Sequence, residues 1–274
     1  KIKRWLKSFL LKAALRNPHF ERLLCLDRSV VSELSTDSAR VVFLPDGIRI
    51  GHSVRSRDQI RQDWRVEEGR AVVLLFGGIS QRKGIFKVLE AISLLPDVVR
   101  EDLCFVFHGA IDDAQRVAIE DALTAAGKFS GVQLVVRNEF IDESDVQDIV
   151  GAADLNLVVY QIHAGSSGML IRSAAAHVPV LGSDYGLVGE NIRAHQLGRS
   201  VDSTSARKIA DSLEEFIRQP DEFGFNQDAA GVFASENTAD AFGRTIFGSM
   251  TSAQPESNSS SAASESSDVV AERD

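Results

Sequence analysis

Two cysteines among 274 residues exclude a fold stapled by several disulfides. Cys25 and Cys104 each lie inside an apolar run, Leu23 to Leu26 and Leu103 to Phe107, which is the thiol usage of a reducing compartment, so both read as core residues. No apolar run approaches the ~20 residues that span a bilayer, and Lys1 to Leu15 lacks the apolar block and small-residue cleavage site of a signal peptide. A cytoplasmic protein is expected, soluble or peripheral at the inner face of a membrane. The six histidines show no paired metal-ligand spacing, and no Ser, His, Asp arrangement supports a nucleophilic triad. Net positive charge is also missing. With 30 Lys and Arg against 39 Asp and Glu, the chain carries a formal charge of -9, whereas affinity for a phosphate backbone needs clustered cations. No nucleic-acid partner is expected.

What is present suffices for one substantial core and part of a second, since 44% of the residues are hydrophobic. The charge is unevenly placed: residues 1–22 hold seven Lys or Arg against Glu21, and the residues after Met250 hold five acids against Arg273. Ile2, Trp5, Leu6, Phe9, Leu10 and Ala13 recur at helical spacing with lysines between them, so a basic amphipathic helix is expected from Ile2 to Leu15. It has two readings, a packed helix of a domain lying upstream or a helix docked on an anionic membrane surface. The chain opens at Lys1, inside this helix, and reads as a fragment or a processed product. At the other end, residues 251–274 are Ser-rich, acidic and poor in large apolar groups, and disorder is expected there.

Between these ends the chain alternates strand and helix. Arg22 to Leu26 and Arg40 to Leu44 read as short strands flanking a helix at Ser29 to Leu34, and Pro45-Asp46-Gly47 reads as a turn. A helix to Trp64 follows, then a strand Ala71 to Phe76, a helix Gly84 to Leu95, a strand Leu103 to Phe107 and a helix Asp113 to Ala126. The pattern continues with a strand Val132 to Val136, a helix Asp142 to Ala153 capped by Asp142, a strand Leu155 to Tyr160 and a helix Gly168 to Ala176. Val178 to Leu181 and Arg199 to Val201 read as short edge-type strands. Ser203 or Thr204 is placed to cap a helix through Phe216, and Ser235 another over 235–250. The strands are continuous apolar runs, as in a parallel sheet buried on both faces. The expected fold is α/β, a Rossmann-like parallel sheet with helices on both faces over 48–234, preceded by a remnant of another domain over 1–47.

In such a sheet the ligand lies outside the carboxyl ends of the strands, where helix N-termini offer unpaired N–H groups to an anion. Two strand-to-helix corners have that character. In the first, Phe76-Gly77-Gly78-Ile79-Ser80-Gln81-Arg82-Lys83-Gly84, the glycines Gly77 and Gly78 allow close backbone approach while Arg82 and Lys83 bring positive charge. In the second, Ala164-Gly165-Ser166-Ser167-Gly168, backbone amides and hydroxyls can cradle a phosphate. Either corner alone also reads as an ordinary tight turn with a solvated basic pair or a serine cap. Together they face one crevice, and a diphosphate is the ligand the pair suits best.

The ordered set Phe76-Gly77-Gly78, Lys83-Gly84 with Leu89-Glu90-Ala91, Phe140-Ile141, Ala153-Asp154, and Ala175 with Val178-Pro179-Val180 resembles the C-terminal, donor-binding half of GT-B glycosyltransferases of family 4, over roughly Val41 to Val201. The resemblance implies that Leu44-Pro45-Asp46-Gly47 is an interdomain linker, and that Leu24 to Asp27 ends an acceptor-binding domain. Lys83, assisted by Arg82, would neutralise the donor diphosphate. Phe140 and Ile141 would hold the nucleotide base through their backbone, and Glu190 would stand in the donor-side wall. The family also places two glutamates eight positions apart at the start of the helix after the fourth strand. Ala164 and Arg172 stand there, so the usual hydroxyl acceptors are absent and Arg172 brings a cation suited to a phosphate or carboxylate.

By this resemblance the chain would hold a nucleoside-diphosphate sugar for transfer to a glycan or lipid-linked acceptor of cell-envelope polysaccharide synthesis, in a retaining reaction that requires no metal or other cofactor. Two other readings remain at this stage. One is a non-catalytic module that keeps the donor fold without its carboxylates, and the other is a sugar-phosphate epimerase of related architecture, which would turn over a nucleotide sugar with no acceptor present.

Overall fold

The computed structural model describes residues 17, 19, 22–35 and 40–251. The basic helix expected over Ile2 to Leu15 and the tail beyond Thr251 lie outside the described residues. The first elements are β1 (Leu23–Cys25), α1 (Arg28–Ser35) and β2 (Val41–Phe43). The two strands pair in parallel as a small separate sheet, with Leu34 and Val41 buried under α1.

The chain then runs through α2 (Arg57–Asp63), β3 (Ala71–Phe76), α3 (Ile85–Leu94), α4 (Asp97–Glu101), β4 (Leu103–His108) and α5 (Arg116–Ala126). It continues through β5 (Gln133–Arg137), α6 (Val146–Gly151), β6 (Leu155–Val158), α7 (Gly168–Ala175), β7 (Val180–Ser183) and α8 (Gly186–Ala194). Last come β8 (Gly198–Val201), α9 (Ala206–Arg218), α10 (Gln227–Glu236) and α11 (Ala239–Thr251). Strands β3 to β8 form one parallel six-stranded sheet in the order β5-β4-β3-β6-β7-β8. Chain order reverses between β3 and β6, so the loops leaving these two strands diverge and leave a crevice at their carboxyl ends.

The continuous apolar strands are explained by two cores, one on each face. Val73, Leu75, Phe105 and Phe107 pack under Val88 and Ile92 of α3, Ile119 of α5, and Ile209 and Leu213 of α9. The alternate residues Val72, Leu74, Cys104 and Val106 pack with Ile60 of α2, Ile149 of α6, Leu170 of α7, Val188 of α8 and Phe233 of α10. Strand periodicity sends successive side chains to opposite faces, and here both faces are covered. Burial of Cys104 pushes its thiol up to about 12, so it is an inert core group. Asp154 pins α2 to the amino ends of the central strands: it accepts from the Val72 amide at 2.7 Å and pairs with Arg57 and Arg61.

Several local expectations are corrected. Val180–Ser183 is an interior strand, paired with β6 and β8 on its two sides, and only β8 and β5 are edges. The cap of α9 is Ser205, which accepts from the Lys208 amide, rather than Ser203 or Thr204. Helix α6 begins at Val146, after a turn in which the Asp142 carbonyl takes the Asp145 amide, so Asp142 is no cap. Ser235 lies inside α10 and donates to the Val232 carbonyl; Thr238 instead accepts from the Ala241 amide and starts α11. Helices α8 and α10 were not anticipated, because α8 carries Gly186 and Gly189 and lacks a capping side chain, and the apolar stripe of α10 is mostly alanine.

The segment after β2 is stitched to the far end of the chain. Asn237 takes the Asp46 amide on its side chain at 3.2 Å, and the Ala239 amide donates to the Ile48 carbonyl at 3.0 Å. Arg28 at the start of α1 pairs with Glu236 at the end of α10. Among the described residues no helix is long and apolar enough to cross a membrane.

Candidate functional site

The first glycine corner leaves β3 with Gly77 at φ +90°, its amide held by the His108 carbonyl at 2.9 Å. A Cβ on Gly109, at the end of β4, would stand 2.1 Å from the Gly77 carbonyl oxygen. The two strand ends therefore touch through backbone alone, which only glycine allows. Gln81 to Lys83 then form one 3-10 turn, and Gly84, at φ +87°, starts α3. A Cβ on Gly84 would lie 2.4 Å from the Val159 carbonyl oxygen, so the turn that carries Lys83 is pressed against the end of β6. Ile79 is fully buried and bonds to the segment at Ala110 to Asp112, so it serves the core.

That pressing brings three polar groups together. The Lys83 ammonium donates to the Tyr160 hydroxyl at 3.0 Å, and the Tyr160 and Ser167 hydroxyls are 2.9 Å apart. Tyr160 and Ser167 are both buried. The Lys83 Nζ is 4.7 Å from the Tyr160 ring centroid, so it sits beside the hydroxyl, within reach of a lone pair. The exposed Arg82 lies 5.6 Å from the same ring. Gln161 locks this arrangement in place: its amide donates to the Arg82 carbonyl at 2.8 Å and its side chain to the Ser203 carbonyl at 2.8 Å.

In the second corner Ser167 occupies the cap position of α7, yet its side chain makes no bond to the helix. Its hydroxyl is turned to Tyr160, so the first turn of α7 has no side-chain cap and its leading amides lack the partner a cap would supply. Gly165 and Gly168 flank it. His163 folds back on the same loop, its Nε2 3.0 Å from the Ser166 carbonyl oxygen. Ser166 faces elsewhere: together with Glu190 it lines a small recess against Leu26, Arg28 and Phe43 of the N-terminal strands. Ala164 is exposed. Arg172 is ion-paired with Glu143, and its Nη1 is buried with no hydrogen-bond partner among the described residues.

Beside these corners, beyond the carboxyl ends of β4 and β5, a cleft of about 370 Å³ is lined by Trp64, His108, Glu139, Phe140, Ile141 and Asp142, among others. Phe140 is 87% exposed at its rim. Four carboxylates, Asp63, Glu139, Asp142 and Asp145, outnumber the two guanidiniums of the lining and give the rim an acidic character; Arg55 is ion-paired with Asp63, and Arg137 donates to the Asp63 carbonyl. His108 is buried, its Nε2 lies 3.1 Å from Glu139 and its ring meets Trp64 edge-on at 5.9 Å. Neither Trp64 nor Tyr160 figures among the site residues expected from sequence. Tyr160 could have been found as the polar-tipped aromatic ending the run that starts at Leu155.

Burial depresses the pKa of His108, overcoming the upward pull of Glu139, and burial depresses that of His195 as well. The unfolded chain therefore takes up these protons more readily than the folded one, so their contribution is full above the ordinary value near 6.5 and is lost as pH falls below it. Thermal denaturation should show a midpoint that drops from about pH 7 to about pH 5.5, before carboxylates titrate. A midpoint that rises over that interval would contradict the assignment.

Comparison with known proteins follows this geometry. The family described as glycosyl transferases group 1 matches residues 56–231. Among solved structures, Anabaena Alr3699/HepE in complex with UDP aligns with a TM-score of 0.68 at 14% identity, over 85% of this chain and 64% of that one. Sucrose-phosphate synthase from Thermosynechococcus elongatus aligns with a TM-score of 0.68 at 17% identity, over 90% and 62%. WaaG, a glycosyltransferase involved in lipopolysaccharide biosynthesis, aligns with a TM-score of 0.59 at 19% identity, over 83% and 63%. The chain thus spans less than two thirds of the length of these structures. No curated protein matches the sequence.

Proposed function

This chain belongs to the glycosyl transferases group 1 family, and from that membership we propose that its six-stranded sheet holds the nucleoside-diphosphate sugar donor of a glycosyl transfer. The observation that carries the reading is the meeting of Lys83 with Ser167, through Tyr160, at the point where strand order reverses. A diphosphate laid there would contact the Lys83 ammonium, the Ser167 hydroxyl and the free amides of α7. Gly77, Gly78, Gly165 and Gly168 let the backbone come close, and Arg82 adds a second cation at the rim. As the bond between the sugar and the diphosphate breaks, negative charge grows on the leaving group, and these preorganised donors stabilise it. Within this reading the countercharge comes from the chain itself, and no metal or cofactor is invoked.

The donor's direction follows from charge. The cleft at Trp64, Phe140 and Ile141 has an acidic rim, which repels phosphate and suits an uncharged nucleoside. The nucleoside therefore lies against Phe140 and Ile141, with its phosphates toward Lys83. A uridine nucleotide is a reasonable first donor to try, since HepE was solved with UDP and with UDP-glucose. The acceptor, a glycan or lipid-linked sugar of the cell envelope in line with WaaG, would approach from the side of β1 and β2, where Ser166 and Glu190 face Leu26 and Phe43. On this view residues 1–47 belong to the acceptor domain and linker and the chain from 48 through α10 to the donor domain, with α11 following it. The reaction is retaining and cytoplasmic.

The pairing of Arg172 with Glu143, together with Ala164 where a carboxylate would stand, favours a second reading: a module that binds the donor or serves assembly without turnover. Calorimetry with uridine, guanosine and adenosine diphosphates, their sugars and the free nucleosides tests the donor proposal. Saturable binding of at least one diphosphate, tighter than its nucleoside by about tenfold or more, is expected. If no member of the panel binds, the donor reading is wrong.

A further inference from the structure

We infer that Tyr160 is a positioning residue, which holds the Lys83 ammonium and the Ser167 hydroxyl in the poses that meet the diphosphate; the inference rests on the donor reading above. Tyr160 is 4% exposed and lies two residues beyond the buried end of β6. Its backbone is fixed, since the Ser203 hydroxyl donates to its carbonyl at 2.8 Å, and the edge of the His163 ring stands 5.2 Å from its own. The phenolic oxygen is thus delivered to one place by a rigid frame.

The direction of each hydrogen bond follows from what the groups can do. Lysine can only donate, so at 3.0 Å the Tyr160 oxygen accepts from Lys83. The Tyr160 proton then has one acceptor in reach among the described residues, the Ser167 oxygen at 2.9 Å. Ser167 does not spend its hydroxyl on capping α7, so its own O–H remains available to an incoming acceptor. Lys83 keeps two of its three N–H groups, and no carboxylate pairs with it among the described residues. The chain Lys83 to Tyr160 to Ser167 therefore orders two donors at two glycine corners at the cost of one ammonium N–H, with a neutral partner that leaves the positive charge uncompensated. A phosphate oxygen meets both donors already in place, which lowers the entropy lost on binding.

The test compares the protein with its Tyr160→Phe and Ser167→Ala variants, using UDP, inorganic pyrophosphate and uridine as calorimetric probes. Tyr160→Phe keeps the ring, so the melting midpoint should move by no more than about 2–4 °C. Affinity for UDP and pyrophosphate should fall by about three- to tenfold and that for uridine should stay unchanged. Ser167→Ala, which spares the core, should act in the same direction, and the double variant should lose less than the product of the two single losses. A merely structural tyrosine would change all three probes alike or none. UDP affinity unchanged or tightened in Tyr160→Phe, while the parent binds, would overturn the positioning role alone and show the hydroxyl to be idle or a competitor for the ammonium. If the parent binds neither UDP nor pyrophosphate, nor any other nucleoside diphosphate, the donor reading falls and this inference with it.

Discussion

Lys83→Ala should weaken binding of a nucleoside diphosphate by about 10- to 100-fold, because a hydrogen bond to a charged group is worth about 1.5–3 kcal/mol and each 1.4 kcal/mol is tenfold. The effect is large for a single lysine because the ammonium is held rather than free: it rests on the Tyr160 hydroxyl at 3.0 Å, against a turn locked by Gln161. No carboxylate among the described residues shares its charge, so its full field reaches the ligand. Folding should be little affected, since the bond it makes is to a neutral group that can turn to Ser167. The nucleoside without phosphates should bind the variant as it binds the parent. Raising salt should narrow the difference between parent and variant, as screening weakens the lysine's contribution. Unchanged diphosphate affinity in Lys83→Ala, measured by calorimetry, would remove the lysine from the site.

The acid-rimmed cleft and the cationic corner are complementary parts of one arrangement. Glu139, Asp142 and Asp145 stand beyond β5, whereas Lys83 and Arg82 stand beyond β3. A ligand with an uncharged end and a dianionic end has one favourable orientation across them, set by field before any close contact forms. Arg172 takes no visible part in this. Its guanidinium is paired with Glu143, so its charge is met by the protein.

The sheet was legible in the sequence because burial on both faces leaves a plain mark: Ala71 to Phe76 and Leu103 to Phe107 are unbroken apolar runs, and both form strands with almost those limits. The two glycine corners were legible for a related reason, since a strand that ends in Gly77-Gly78 or leads to Gly165 to Gly168 must turn into a helix there. What joins the corners was not. Tyr160 reads locally as one more strand residue, and its hydroxyl acquires meaning only when Gly84 brings the Lys83 turn against Val159. Ser166 and Ser167 are equivalent on paper, and the backbone at the start of α7 alone sends one to Tyr160 and the other toward Leu26 and Phe43. The caps failed for the same reason: Ser203, Thr204 and Ser205 are all competent, and Ser203 is withdrawn from the competition by its bond to the Tyr160 carbonyl.

Arg100→Ala should be strongly destabilising, by about 3–5 kcal/mol, because it leaves several enclosed backbone carbonyls unsatisfied at about 1–3 kcal/mol each. The Arg100 side chain is 7% exposed. Its guanidinium donates to the Ser130 carbonyl at 2.9 Å, to the carbonyls of Ile92 and Leu95, and to Asp97. It thereby satisfies the last carbonyls of α3, ties α4 to that helix and fixes the loop entering β5, 30 residues further along the chain. Removing it would strand those carbonyls in a space too enclosed for water to replace every bond. For a domain of this size the loss corresponds to a melting midpoint lower by about 10 °C, measurable by scanning calorimetry. Arg100→Lys should recover only part of it, because an ammonium cannot reach four acceptors arranged around a planar fork. The damage should also reach the site: α3 begins at the turn that carries Lys83, and a helix whose far end is no longer capped transmits its fraying to the near one. Loss of diphosphate affinity in Arg100→Ala should therefore shrink on cooling, as the helix re-forms, whereas the loss in Lys83→Ala should persist. A midpoint within about 2 °C of the parent would show the network to be dispensable.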